Sequence, residues 1–274
     1  MLVRHRDAEP SIDPSAYVAP SAVIVGDVRI AAGARVLHGA LLSAEDGEVV
    51  IGEDTVVMEQ ALIRGRAGSP ARIGAAVMIG PHAHVNGSVV ESECFIATGA
   101  ALFPGSRVGG GSEIRINGVV QVNTAVLPGS IVPIGWVAVG DPASILPPER
   151  HDEIWAIQRE LDFGGTVYGV GRDVSLREIM RRQSEYYGVH ATDTVIAPQR
   201  ILPAGTFPRP PWALSSCCRR RPEGMKTLRW PATPSSFRRP VRRRARAACA
   251  RNRVWRSPQA AGRRDTGRSR PCCD

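Results

Sequence analysis

An aliphatic residue returns at every sixth position from Val18 onward, a small residue usually follows it four places later, and the spacing persists over about 120 residues. Neither a period of 2 nor one of 3.6 produces this pattern. Together these observations predict an all-β main domain, a left-handed parallel β-helix of hexapeptide repeats, followed by C-terminal α-helices.

In frame the chain reads VAPSAV, IVGDVR, IAAGAR and VLHGAL from Val18, then is interrupted. It resumes at Ile51 with IGEDTV, VMEQAL and IRG, breaks again, and restarts at Ile73 with IGAAVM, IGPHAH and the five-residue VNGSV. From Val90 it runs through VESECF, IATGAA, LFPGSR, VGGGSE, IRINGV, VQVNTA, VLPGSI, VPIGWV and AVGDPA. Three hexapeptides make one triangular coil, with the aliphatic side chain pointing inward and a small residue near each corner. Stacked coils pair their backbones and build a continuous column of Val, Ile and Leu. Coils of this kind wind left-handed, against the usual right-handed crossover rule. The expected organisation is a β-helix over 1–146, a helical segment over 147–200 that packs on the prism, and a basic low-complexity tail over 201–274.

After Pro142 and the punctuation of Leu146-Pro147-Pro148, residues 149–163 place Ile154, Trp155, Ile157 and Leu161 at helical spacing. A second helix is expected from Ser175, with Glu178 three places later as a capping box and Gly188 as the stop.

The net charge of +9 divides unevenly. From Ile201 onward there are 19 basic and 3 acidic residues, which leaves 16 basic and 23 acidic over 1–200. The repeat region is therefore mildly acidic and offers no electrostatic footprint for nucleic acid. The tail, with runs such as CCRRRPEGMK and RRPVRRRARAACARNR, has too few aliphatic residues to offset ordering entropy, and disorder is expected there. Its two readings are an arginine-rich arm that binds phosphates and a segment with no selected role; Arg/Pro/Ala/Cys/Trp bias favours the second. Cys94 is the single cysteine before the tail, so the main domain reads as a reducing-compartment, cytoplasmic protein. No apolar run approaches a membrane span and MLVRHRDAEP lacks the apolar stretch of a signal peptide.

The prism with its two interruptions, the IGEDT…IRG segment, IGAAVMIGPHAHVNG with the one-residue deletion in VNGSV, and the closing WVAVGDPA resemble the γ-class carbonic anhydrases of the hexapeptide-transferase superfamily. The resemblance covers residues 10–165. It implies a homotrimer with zinc at each subunit boundary, held by three histidines from two neighbouring prisms and leaving an open position for water. Zinc in such a set lowers its water's pKa to about 7 and supplies a hydroxide. Residue by residue, the motif transfers poorly. The family's three histidine positions fall on Arg64, Pro81 and Asn86. Its arginine and aspartate fall on Ser43 and Glu45, its glutamine on Met58, and only the neighbouring carboxylate is kept, as Glu59. Arg64 and Pro81 cannot ligate zinc, and Asn86 is a weak donor for it.

His82 and His84 lie beside the vacated positions. On an extended segment, residues i and i+2 point the same way, so both imidazoles are expected on one side. With His38, Glu59 or Glu45 they would form a relocated metal site, for zinc, in the cleft between subunits. The alternative is two solvated or hydrogen-bonded histidines without metal, since a His-x-His pair falls short of the three protein ligands zinc takes. By the six-residue count His38, Glu59 and Pro81 stack in one column, so a His38–Glu59 contact is expected. His5 and His190 fall outside the prism and His151 on the covering helix, positions expected to be less well placed.

Three functions follow. One is a γ-carbonic-anhydrase-like lyase with a rebuilt metal site. Another is an acyltransferase with His82 or His84 as general base, Glu59 orienting the ring and corner glycine N–H groups polarising a thioester. The third is a non-catalytic trimer that binds an unidentified small molecule or scaffolds a partner.

Overall fold

The computed structural model describes residues 1–196. Three columns of buried aliphatic residues dictate the architecture. Ile24, Leu42, Ile63, Val85, Leu102, Val120 and Ala138 stand in register along one parallel sheet. Ile30, Ile51, Ile73, Val90, Val108 and Val126 line the second. Val18, Val36, Val57, Ile79, Ile96, Ile114 and Val132 line the third. Each hexapeptide contributes a strand of two to four residues, and the next strand of the same sheet arrives one coil later. The result is a parallel β-helix of about eight turns, the class the hexapeptide period predicts. Where the fifth residue of a repeat is alanine it is also buried: Ala22, Ala40, Ala61, Ala83 and Ala100 are fully inaccessible. In other repeats Thr55, Val77 and Cys94 take the same buried place beside the turn.

The fourth residue of each repeat makes the corner. Gly33, Gly39, Asp54, Gln60, Ala76, His82, Glu93 and Gly99 all take left-handed backbone, with φ between 53° and 73°. At Gly33 glycine relieves both the left-handed strain and a contact, since a Cβ there would lie 2.0 Å from Asp54 Oδ1 of the next coil and force that carboxylate to turn away. Corner backbones bond from coil to coil, Gln60 N–H to His38 O at 3.1 Å and His82 N–H to Glu59 O at 3.1 Å.

The first sheet has 10 strands because the first and last described strands and Ser144–Leu146 all join it. Leu2–Arg4 runs parallel to Val23–Val25 and antiparallel to Thr194–Ile196, pairing Arg4 with Thr194. At the other end Ser144–Leu146 pairs antiparallel with Val137–Val139. Helix α1 (His151–Gln158) buries Ile154 against Val139 and Leu146, as its apolar spacing predicts. Trp155, expected on the same face, is exposed. Helix α2 (Phe163–Tyr168) was not foreseen; Asp162 caps it by accepting from Gly165 N–H. Helix α3 (Leu176–Gly188) starts at Ser175, whose hydroxyl accepts from Glu178 N–H at 3.3 Å, and ends on Gly188 as expected. No helix among the described residues is long and apolar enough to cross a membrane. The tail over 201–274 lies outside the described residues.

Candidate functional site

The outer face of the 10-stranded sheet carries the residues that matter. Strand alternation turns Ile24, Leu42, Ile63 and Val85 inward, so the column Val25–Ser43–Arg64–Asn86 faces out. The C-terminal segment covers it. Tyr187 of α3 lies against the Arg64 guanidinium, 5.7 Å from Cζ to ring centroid and 3.4 Å from Nη1 to the hydroxyl. Tyr186 lies 4.3 Å under Arg66 and donates to Asp46 at 2.6 Å. Further along, Phe163 of α2 packs against Phe103, and Asn123 Nδ2 donates to Leu161 O and Thr166 Oγ1.

A buried polar cluster forms under this cover. The antiparallel register of Leu2–Arg4 with Thr194–Ile196 carries His5 opposite Asp193, and His5 Nδ1 meets Asp193 Oδ1 at 2.6 Å. A tight turn through Arg6 and Asp7, both left-handed, fixes His5 by two backbone bonds to Ala8. Gly26 lies beside it, and a Cβ there would come within 2.5 Å of Ala44 O. His190 sits on the turn after α3 and stacks on His5, with centroids 4.4 Å apart and planes at 23°. His190 Nδ1 meets the other oxygen of Asp193 at 2.8 Å, and its Nε2 meets Glu45 Oε2 at 2.8 Å. Ser43 donates to Glu45 Oε1 at 2.8 Å, and Arg64 Nε lies 3.5 Å from that oxygen. Glu45 and His5 are 4% and 1% exposed. Desolvation works against a charged His190, but its bonds to Asp193 and Glu45 outweigh it and raise its pKa. Asp193 is lowered by the two histidines despite burial.

His38, Glu59 and His82 lie exposed at one corner of the prism, outside this cluster. The expected column of His38, Glu59 and Pro81 is present in the corner hydrogen bonds. The His38 ring bonds Ser21 Oγ at 2.8 Å, one coil back, and no hydrogen bond joins it to Glu59. The expectation that His82 and His84 project to one side needs correction. His82 occupies the left-handed corner at φ 57°, and the strand begins only at His84. Period-two alternation does not run through a turn. His84 points off the outer sheet face; its Nε2 is buried without a partner among the described residues. Burial first, and the charge of Arg64 second, push its pKa below the usual imidazole range. Within one chain, His38, His82 and His84 do not form a ligand group; the donors that converge are His5, Glu45 and His190, within 4.8 Å of one another. Sequence reasoning passed over His5 and His190 because their approach depends on the closing strand, which carries no periodic signal. Cys94 is a free thiol raised by burial.

The positions that the resemblance assigns to zinc fit the metal poorly. Arg64 is paired with Glu45 and packed on Tyr187, Pro81 has no donor, and Asn86 offers one amide oxygen, buried and unpartnered among the described residues. No imidazole stands at any of the three, and zinc favours imidazole or thiolate.

A hexapeptide β-helix closed by its own C-terminal helices defines the class. No family model matches the chain. It is 33% identical over 165 residues to γ carbonic anhydrase 1, mitochondrial, of Arabidopsis thaliana, covering 56% of this chain and 58% of that protein. It is 34% identical over 160 residues to the carboxysome assembly protein CcmM of Synechococcus elongatus, covering 54% and 29%. The chain thus spans a little over half the length of the first of these relatives. Among solved structures, a hexapeptide transferase family protein from Anaplasma phagocytophilum aligns at a TM-score of 0.27, with 20% identity over 69% of this chain and 94% of that one. The acetyltransferase domain of PglB from Neisseria gonorrhoeae, in complex with acetyl coenzyme A, aligns at 0.27, with 26% identity over 50% and 57%. The chain is a hexapeptide-repeat β-helix whose sequence is similar to the γ carbonic anhydrases.

Proposed function

We propose that this chain is a γ-carbonic-anhydrase-like homotrimer subunit that has given up the family's zinc centre and serves as a binding or scaffold prism. The observation that carries this reading is Arg64, which stands where the family has a zinc ligand and is taken up by Glu45 and Tyr187. A guanidinium there would repel a dication and fills the space that metal and water need. No carbon dioxide hydration is therefore expected at that place, and no zinc bound there.

Trimer formation is supported by an apolar stripe on the third sheet. Met78, Phe95 and Ile131 point outward along one register column, with Glu113 between the last two, and are 37%, 43% and 45% exposed. Ile116 and Ile134, at the neighbouring corner, extend it. Exposed large apolar side chains gathered on one face in this way mark an interaction surface. The same corner presents His38, Glu59 and His82, so a neighbouring prism seated on the stripe would bring a second chain beside them. The Phe95→Asp/Ile131→Asp pair is expected to convert a trimer to monomers in light scattering while leaving the far-ultraviolet circular dichroism unchanged. A trimer that survives both charges would remove this interface.

The acyltransferase reading needs a base that reaches substrate. His84 is neutral enough but its Nε2 is buried, which leaves exposed His82, with no hydrogen bond to orient its ring among the described residues. A reducing compartment suits the buried Cys94 thiol.

A further inference from the structure

Among the described residues, His5 Nε2 is the most deeply placed ring nitrogen left without a partner beside other metal-ligating groups. The ring is 1% exposed, and this nitrogen has no hydrogen-bond partner among the described residues. Both stacked imidazoles turn their Nδ1 atoms to the two oxygens of one carboxylate, Asp193. Their Nε2 atoms therefore both face away from Asp193, and that of His190 already meets Glu45. A carboxylate that accepts from imidazole Nδ1–H is the usual outer partner of a metal-bound histidine, because it fixes the tautomer that leaves Nε2 free. Ser43 fixes the remaining oxygen of Glu45 and leaves Oε2 to face the imidazoles.

We propose that His5 Nε2, His190 Nε2 and Glu45 Oε2 form a divalent transition-metal site of the zinc class inside a single chain, with Asp193 as its outer carboxylate. Two imidazoles and one carboxylate suit zinc or cobalt, with a water as fourth ligand. On binding, the metal takes the place of the proton between His190 Nε2 and Glu45 Oε2. The two rings must splay from their present 23° so that their lone pairs converge. The entry side is that of His190, whose side chain is 33% exposed. This site is distinct from the family's, since none of Arg64, Pro81 and Asn86 belongs to it. It joins the N-terminal strand, the first interrupted corner and the C-terminal segment, so bound metal would clamp the cover onto the sheet.

The test is cobalt(II) and zinc titration of the full metal-free chain. The five tail cysteines are a competing sink, so the readout is spectroscopic: nitrogen and oxygen ligands give d–d bands without the thiolate charge-transfer band that cysteine ligands give. One equivalent of thiolate-free cobalt per chain is expected, together with a raised melting temperature in zinc. His190→Ala, at the exposed edge, should abolish the thiolate-free bands while the fold persists. Asp193→Asn should weaken binding by about 10- to 100-fold, the usual loss for an outer partner. Absence of thiolate-free cobalt bands in the parent, or bands unchanged in His190→Ala, would overturn the assignment.

Discussion

Ile63→Ala is expected to cost about 2–5 kcal/mol of folding stability, the range for truncating a buried aliphatic side chain in a packed core. Ile63 is fully buried between Leu42 on one coil and Val85 on the next, and neither can move inward without breaking its own strand register. Coils touch only their neighbours, so a void in a middle coil weakens two interfaces at once. Leu127→Ala is the matched control: that side chain is 59% exposed, and its loss should stay within about 0.5 kcal/mol. Urea unfolding of the two variants measures both. Equal losses would mean that the column is not the principal source of stability.

Glu45→Ala should also be strongly destabilising. It leaves Arg64, His190 and the Ser43 hydroxyl around a buried site without their shared acceptor. Removing one member of a fully buried ion pair costs about 3–5 kcal/mol. Arg64 and His190 retain 26% and 33% side-chain exposure, so water recovers part of that, and about 2–3 kcal/mol is the expected loss. Glu45→Gln preserves the shape and an acceptor oxygen for Ser43, so its loss should be smaller. Similar stability for Glu45→Ala and the parent in denaturant titration would contradict the cluster as described.

The β-helix was legible because its determinants are local. Each inward Ile, Leu or Val is set by its own six-residue frame, and the frame repeats along the described prism. The same frame held the clue that the reading of His82 missed. In IGPHAH the histidine stands fourth, the place of Gly33 in IAAGAR and Gly99 in IATGAA, so it belongs to a corner and not to an extended segment. The Ser175 cap of α3 was readable for the same local reason. The polar cluster was not. His5 and Asp193 are 188 residues apart, and Glu45 and His190 are 145 apart. They meet only because a three-residue strand at the end of the described chain adds antiparallel to the first one. Nothing in the local composition of Thr194–Ile196 announces that pairing.

The proposed loss of the zinc centre that the resemblance implies is tested most directly by stopped-flow hydration of carbon dioxide on the purified, zinc-supplemented full chain. Arg64, Pro81 and Asn86 offer no imidazole to generate a zinc-bound hydroxide, so the rate is expected at the buffer background, with or without chelator. A chelator-sensitive acceleration well above background that persists in His190→Ala would contradict the account, because it would place a working metal hydroxide at the family's own position.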